Sequence, residues 1–89
     1  MVNKMAVLGA GTMGHGITQL YAQAGFEVYM YDIKEEILVD ALKKISNNLD
    51  LLFQENTITL AEKEKTLQHI FTTTNLEDAV CGSKFITEA

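Results

Sequence analysis

The sequence predicts an α/β protein built on a doubly wound parallel sheet of about four strands. Two observations indicate this class. Short apolar runs alternate along the chain with longer segments whose apolar residues recur at helical spacing, and a glycine-rich turn joins the first run to the first helical segment. Such alternation produces parallel strands joined by right-handed crossovers. The 89 residues are enough for one small domain, so residues 1–89 are expected to form a single unit.

The first two strands and the helix between them are marked by apolar pattern and glycine. Met5–Leu8 stops at Gly9 and predicts a strand buried on both faces. Gly25 stands where a left-handed helix cap belongs, and Glu27–Asp32 predicts the second strand. The intervening helix is indicated by apolar residues at helical spacing, namely Met13, Ile17, Leu20, Tyr21 and Ala24.

Two helices are predicted between the second and third strands. One apolar stripe runs from Ile37 to Phe53, over about five turns. Asn56 interrupts the stripe, and Thr59 followed by Glu62 is a capping-box pattern that begins another helix. This helical pair is longer than an ordinary crossover between parallel strands.

The last part of the chain predicts two more strands. Ile70–Thr74 reads as the third strand, Asn75 as the cap of a short helical turn, and Ser83–Thr87 as the fourth strand. The usual strand order for this connectivity is 3-2-1-4. That order leaves strand 4 as an uncovered edge, and exposed edges recruit other chains.

Composition narrows the classes of partner. Seven basic and twelve acidic residues give a formal net charge of −5, which argues against nucleic acid and anionic membrane as partners. Cys81 is the only cysteine, so no intrachain disulfide can form, and a half-buried reduced thiol is expected. No signal peptide or membrane-spanning run is recognisable. A cytoplasmic location is the resulting expectation.

The chemistry is predicted at the first turn, where Gly9-Ala10-Gly11-Thr12-Met13-Gly14 forms a G-x-G-x-x-G pattern. The pattern follows a predicted strand and opens a predicted helix, as the Rossmann dinucleotide motif requires. Gly9 permits the tight turn, Gly11 lets the backbone approach a pyrophosphate, and Gly14 allows close packing of helix on strand. The helix N-terminus then faces the phosphates. A kinase-type phosphate loop is excluded, because no Gly-Lys-Ser or Gly-Lys-Thr follows.

Asp32 is the second element of the motif, eighteen residues after Gly14. A carboxylate at the end of the second strand can accept hydrogen bonds from the adenosine ribose and repels the 2′-phosphate of NADP. Lys34 is close enough to help accommodate that phosphate. NAD is therefore favoured over NADP, without NADP being excluded.

The two histidines carry no recognisable catalytic pattern. His15 lies on the first helical turn, either near the pyrophosphate or facing solvent, and the second is favoured. His69 is expected to be structural, at a helix end where a cation suits the dipole. Neither forms a Ser–His–Asp arrangement, and two isolated histidines with one cysteine do not make a metal site.

Four features together resemble the 3-hydroxyacyl-CoA dehydrogenases, especially the short bacterial 3-hydroxybutyryl-CoA dehydrogenases. They are the run GAGTMGHGI, the strand ending YDI, the helical pair and the late segment SKFITEA. The resemblance covers essentially all 89 residues. It implies that NAD is bound at the following positions: Gly9, Ala10, Gly11, Thr12, Met13, Gly14, Asp32 and Ile33.

The resemblance also implies a reaction, the reversible oxidation of a (3S)-hydroxyacyl-CoA to a 3-oxoacyl-CoA. The family's catalytic histidine and glutamate, and the helical domain that makes most of its dimer contact, are expected beyond residue 89. The chain is thus interpreted as an N-terminal part that is inactive alone, with acyl-CoA substrate and homo-oligomer as partners of the full enzyme. Asn48 matches a small polar residue near CoA in the family, although Asp50 to Glu55 has no lysine and a helix face without substrate contact fits equally well. A stand-alone NAD-binding regulatory module is the alternative.

Overall fold

Strands and helices alternate along the chain as the sequence predicts, in a computed structural model that describes residues 3–89. In chain order the elements are β1 (Lys4–Leu8), α1 (Thr12–Gln23), β2 (Glu27–Tyr31), α2 (Glu35–Gln54), α3 (Leu60–Gln68), β3 (Ile70–Thr73), α4 (Leu76–Val80) and β4 (Phe85–Glu88). All strand pairs are parallel and the order is β3-β2-β1-β4, which confirms the predicted class, the strand order and the inserted helical pair. Within residues 3–89 no helix combines the length and apolar character needed to cross a bilayer.

Strand ends differ from the predicted ones by one or two residues. β2 ends at Tyr31, so Asp32 follows the strand instead of closing it. β4 begins at Phe85, two residues later than predicted, because its pairing with β1 sets the bounds: Phe85 is in register with Met5 and Glu88 with Leu8. Hydrogen bonding to a neighbour, and not composition alone, decides where each short strand stops.

The predicted helix caps are present. Gly25 has a φ of 98° just beyond α1. The Thr59 hydroxyl accepts a hydrogen bond from the Glu62 N–H at 3.1 Å, and the Glu62 carboxylate accepts one from the Thr59 N–H at 2.9 Å. Asn75 caps α4 by accepting from the Asp78 N–H at 3.1 Å. Local hydrogen bonds of this kind depend on neighbouring residues and are readable from sequence.

The main core lies between one face of the sheet and α2. Met5 and Val7 of β1 are buried there with Ile45 and Leu49 of α2. Lys4 lies on the opposite face, where its ammonium donates to backbone carbonyls at the end of α4, including that of Asp78 at 2.9 Å. Helices therefore pack on both faces of the sheet, as a doubly wound fold requires.

The fully buried residues of α1 are small, and most of its larger apolar residues are not among them. Gly14, Thr18 and Ala22 are buried, whereas Met13 is 69% and Leu20 65% exposed. The buried residues are four apart, and their small side chains let the helix lie close to the layer beneath. Of the apolar residues that predicted the helix, Ile17 packs against the core, whereas Met13 and Leu20 do not mark the inward face.

Two surface features involve β4 and the turn after α4. β4 has a neighbour on one side only, and its Phe85 and Ile86 are about half exposed. Cys81 is exposed rather than half-buried, because it follows the short α4 in a turn that Gly82 completes.

The hydroxyl of Thr18 supplies a stability test, since it is buried and no acceptor or donor among residues 3–89 pairs with it. Thr18→Val removes this unpaired group with little change of shape, and we expect it to raise the free energy of unfolding by about 1 kcal/mol. Thr66→Val is the matched control: Thr66 is also buried and helical, but its hydroxyl donates to the Glu62 carbonyl at 2.8 Å. Urea denaturation should show opposite signs for the two variants, and equal destabilisation would contradict the assignment.

Candidate dinucleotide-binding site

The glycine turn lies at the carboxyl edge of the sheet, between β1 and α1. Gly9 follows the last residue of β1 with a φ of 104°, and its N–H donates to the Tyr31 carbonyl at 2.8 Å. β1 has β2 on one side and β4 on the other, so the chain reverses its direction of sheet growth here. Open α/β sheets bind ligands in the crevice at such a switch point.

Two glycines are required by close packing inside this turn. A Cβ atom on Gly14 would overlap the carbonyl oxygen of Gly9, and a Cβ on Gly9 would lie 2.8 Å from the carbonyl oxygen of Ala89. The first turn of α1 therefore rests directly on the loop and on the end of β4. These are the steric tasks that the motif predicts for its first and third glycines.

Gly11 differs, because open space surrounds it. No heavy atom of residues 3–89 outside its immediate chain neighbours lies within 4 Å of the position that its Cβ would take. Its φ of −71° is available to any residue, so protein packing does not demand glycine here. A glycine with no packing reason fits a requirement from outside the protein, the close approach of a phosphate.

The N-terminus of α1 has electrostatics suited to an anion. Gly11 is its N-cap and supplies no side-chain acceptor, and the first turn contains no acidic residue. By contrast, α3 and α4 are capped by side chains, and the first turn of α2 carries Glu35 and Glu36. Among the helices of residues 3–89, α1 alone has neither a side-chain cap nor an acidic residue in its first turn, so side chains of the helix itself leave its first N–H groups without acceptors.

Asp32 is held beside this helix end by the backbone. One carboxylate oxygen accepts from the Ala10 N–H at 3.1 Å, and the other accepts from the Lys34 N–H at 3.3 Å. Both bonds come from main-chain donors, so the carboxylate is oriented without a neutralising cation. Lone pairs remain on both oxygens for hydroxyl donors of a ligand.

A cleft of about 330 Å³ joins Asp32 to the glycine turn. It is lined by Leu8, Gly9, Tyr31, Asp32, Ile33, Glu88 and Ala89. Ile33 is 74% exposed and offers an apolar surface next to the Asp32 carboxylate. The motif did not single out Leu8 or Tyr31, although both end strands at the same edge of a parallel sheet, which is the signal that could have found them.

Of the other residues singled out by sequence, Thr12 and Met13 are exposed on the first turn of α1. Asn48 lies outside the cleft, where its side-chain amide donates to Gln19 at 3.1 Å and joins α2 to α1. Its substrate role stays a prediction. Within residues 3–89, no cluster of three or more His, Cys, Asp or Glu side chains could hold a metal ion.

The histidines contact backbone carbonyls of their own helices. The Nδ1 atom of His69 is 2.7 Å from the Lys65 carbonyl at the end of α3. The Nδ1 atom of His15 is 3.0 Å from the Gly11 carbonyl, within the glycine turn. His15 is half-buried. The structure thus brings His15 to the candidate site and leaves His69 outside it.

The chain is similar to proteins of one kind. Residues 4–89 match the family described as "3-hydroxyacyl-CoA dehydrogenase, NAD binding domain". A 3-hydroxybutyryl-CoA dehydrogenase of Clostridioides difficile is 36% identical over 75 residues, which are 84% of this chain and 27% of that protein. The 3-hydroxyadipyl-CoA dehydrogenase of Escherichia coli K12 is 33% identical over 88 residues, 99% of this chain and 18% of that protein.

Solved structures agree with the sequence relatives. The crystal structure of (S)-3-hydroxybutyryl-CoA dehydrogenase from Ralstonia eutropha superposes with a TM-score of 0.94 at 30% identity, over 100% of this chain and 31% of that one. The chain spans less than a third of the length of the curated relatives that it matches.

The different surroundings of Gly11 and Gly14 generate a prediction with an internal control. Gly11→Ala should leave the melting temperature nearly unchanged but weaken NADH binding at least tenfold, because the added methyl occupies open space that a phosphate needs. Gly14→Ala should destabilise the fold itself, by about 2 kcal/mol or more, because its methyl overlaps backbone. Thermal melts and calorimetric titration measure the two effects. Unimpaired NADH binding by a folded Gly11→Ala variant would remove Gly11 from the site.

Proposed function

We propose a function from the premise that this chain belongs to the 3-hydroxyacyl-CoA dehydrogenase family, whose NAD-binding domain it forms. The proposed function is to hold NAD in the cleft at the carboxyl edge of the sheet for oxidation of a 3-hydroxyacyl-CoA. One observation carries the assignment of the site: the Asp32 carboxylate is fixed by the Ala10 N–H next to the uncapped N-terminus of α1.

The residues present fit the two ends of an ADP group. The pyrophosphate carries negative charge, and the N–H groups at the start of α1 lack intrahelical acceptors. The space around Gly11 admits the phosphates to that helix end. Asp32 would hold the adenosine ribose, and the exposed side chain of Ile33 would offer an apolar surface to the adenine ring. When bound, NAD supplies the nicotinamide that accepts a hydride from the substrate.

The same arrangement favours binding of NAD over binding of NADP. A 2′-phosphate on the adenosine ribose would meet the Asp32 carboxylate, and charge repulsion would oppose its binding. Lys34 donates to Asp32 through its backbone N–H, not its ammonium. The positive charge of Lys34 therefore does not neutralise Asp32 through this contact.

Proton transfer from the substrate hydroxyl needs a base. The base that the family resemblance implies is a histidine, and among residues 3–89 no histidine lines the cleft, whose carboxylates are those of Asp32 and Glu88. We therefore propose that the catalytic base, and most of the acyl-CoA site, come from further residues of the enzyme. The relatives' greater length supports this proposal.

We also propose that the chain self-associates, because one edge of β4 is uncovered. The unpaired edge of β4 and its half-exposed Phe85 and Ile86 offer hydrogen-bonding groups and apolar surface to another chain. Sedimentation that shows a clean monomer at high concentration would argue against it. A cytoplasmic location remains part of the proposal.

Replacement of Asp32 tests the nucleotide assignment. Asp32→Ala should weaken NADH binding by about 1 to 3 kcal/mol, the cost of losing hydrogen bonds to a charged group, and should narrow or abolish the preference over NADPH. Asp40→Ala is the matched control, since Asp40 is exposed on α2 and pairs only with Lys44. Calorimetric titration with each nucleotide measures the effect. If Asp32→Ala keeps the wild-type preference, the carboxylate does not select the ribose.

An activity assay tests whether these residues bind the cofactor but lack the catalytic base. The purified 89-residue chain should bind NADH yet show no oxidation of 3-hydroxybutyryl-CoA above background when NADH formation is followed by absorbance. NADH binding in the same preparation serves as the control for a folded site. Measurable turnover would place a catalytic base within these residues and contradict the proposal. NADH binding without turnover is also expected of a regulatory module, so that result alone does not separate the two functions. Addition of the remaining part of a relative's chain in trans distinguishes the two, since only a cofactor half can regain activity.

A further inference from the structure

His15 is the one side chain of α1 that can carry a positive charge. The helix sequence, Thr12–Gln23, contains no Asp, Glu, Lys or Arg. His15 lies directly after Gly14, and its Nδ1 is 3.0 Å from the Gly11 carbonyl, which also accepts the His15 N–H at 3.1 Å. Side chains on a helix lean toward its N-terminus. The imidazole therefore lies against the first turn of α1, the turn whose N–H groups are proposed to bind the pyrophosphate.

The elements packed around α1 place few charges near this imidazole. At the carboxyl edge of the sheet, the charged groups beside the glycine turn are Asp32 and Glu88, which line the cleft, and Lys34, whose backbone N–H donates to Asp32. On α3, Glu62, Lys65 and His69 line a separate pocket with residues 22–25, at the opposite end of α1.

One hydrogen bond shows which part of α2 faces α1. Gln19, one turn after His15, accepts a hydrogen bond from Asn48 of α2. One turn before Asn48 is Lys44, whose ammonium pairs with Asp40 at 3.1 Å. The positive charge of Lys44 is thus compensated by its own neighbour on α2.

We propose that His15 is a dinucleotide-binding residue whose imidazolium form adds positive charge beside the pyrophosphate, so that affinity for NAD rises as pH falls. The inference rests on the proposed function. The anionic ligand favours the protonated imidazole, so binding takes up a proton and is stronger where that proton is available. The Nδ1–H bond to the Gly11 carbonyl persists in the neutral tautomer protonated at Nδ1, which keeps the ring over the loop at either charge.

The structural and electrostatic roles of His15 can be separated by substitution. His15→Asn keeps a side-chain donor within reach of the Gly11 carbonyl but removes the titrating charge, whereas His15→Lys keeps a positive charge throughout the range. His69→Asn is the matched control, because His69 also places Nδ1 against the carbonyl four residues earlier but lies at the far end of α3. Circular dichroism and thermal melts verify that each variant is folded.

The experiment is calorimetric titration of the 89-residue chain with NAD between about pH 5.5 and 8.5, at low and at high salt. We expect the wild type and His69→Asn to bind about two- to fivefold more tightly at the acid end, the range for one exposed pair of opposite charges, and less so at high salt. His15→Asn should bind with a pH-independent Kd, and His15→Lys should hold the tighter affinity up to the alkaline end.

The outcomes separate this inference from the function on which it rests. If the wild type binds NAD with no pH dependence, or if His15→Asn retains the wild-type dependence, the role of His15 is overturned while the nucleotide site stands. If the wild type binds no NAD at any pH, the proposed function fails and the inference fails with it.

Discussion

The contact between Gly14 and the Gly9 carbonyl is the constraint on which the rest of the site depends. Because there is no side chain at Gly14, the first turn of α1 rests on the loop that leaves β1. This contact fixes the helix end at the carboxyl edge of the sheet. A larger residue would move the helix N-terminus away from that edge, and with it the N–H groups that an anion needs.

The parallel register brings the second half of the site to the same place. Leu8 pairs with Tyr31 on one side and with Glu88 on the other, so three strands end together. Asp32 is the first residue beyond β2, and from there its carboxylate reaches the Ala10 N–H. Residues 22 positions apart therefore act as one unit, because two strands of equal length begin in register.

The two faces of the sheet are covered unequally. One face packs a continuous apolar layer against α2, whose buried residues follow the predicted stripe. Among residues 3–89 the other face carries only the five-residue α4. Polar contacts hold α4 there: the Lys4 ammonium donates to carbonyls at the end of α4 and lies 4.0 Å from the centre of the Tyr29 ring. Parallel sheets are normally buried on both faces. The thin cover, the open edge of β4 and the exposed apolar side of α1 are surfaces that a larger assembly would be able to use.

The sequence by itself determined the elements and the motif, because those depend on neighbours along the chain. Gly25, Thr59 and Asn75 end or begin helices through local backbone geometry and hydrogen bonds, and the alternation of apolar runs specified a parallel sheet. The glycine spacing and Asp32 identified the edge of the sheet where a dinucleotide would bind. None of these inferences needed to know what each residue touches across the fold.

Only the tertiary structure decided which surfaces meet. The apolar residues of α1 predicted its helical period, but the fully buried residues are Gly14, Thr18 and Ala22. Close packing of the helix on the sheet requires small side chains at these positions. The strand ends were set by pairing with β1, and Cys81 is exposed because α4 is too short to cover it. His15 could not be placed from sequence, since one position on a first helical turn can face solvent or lean over the loop. The ring lies within hydrogen-bond distance of the Gly11 carbonyl, and that contact depends on a side-chain torsion that no sequence pattern specifies.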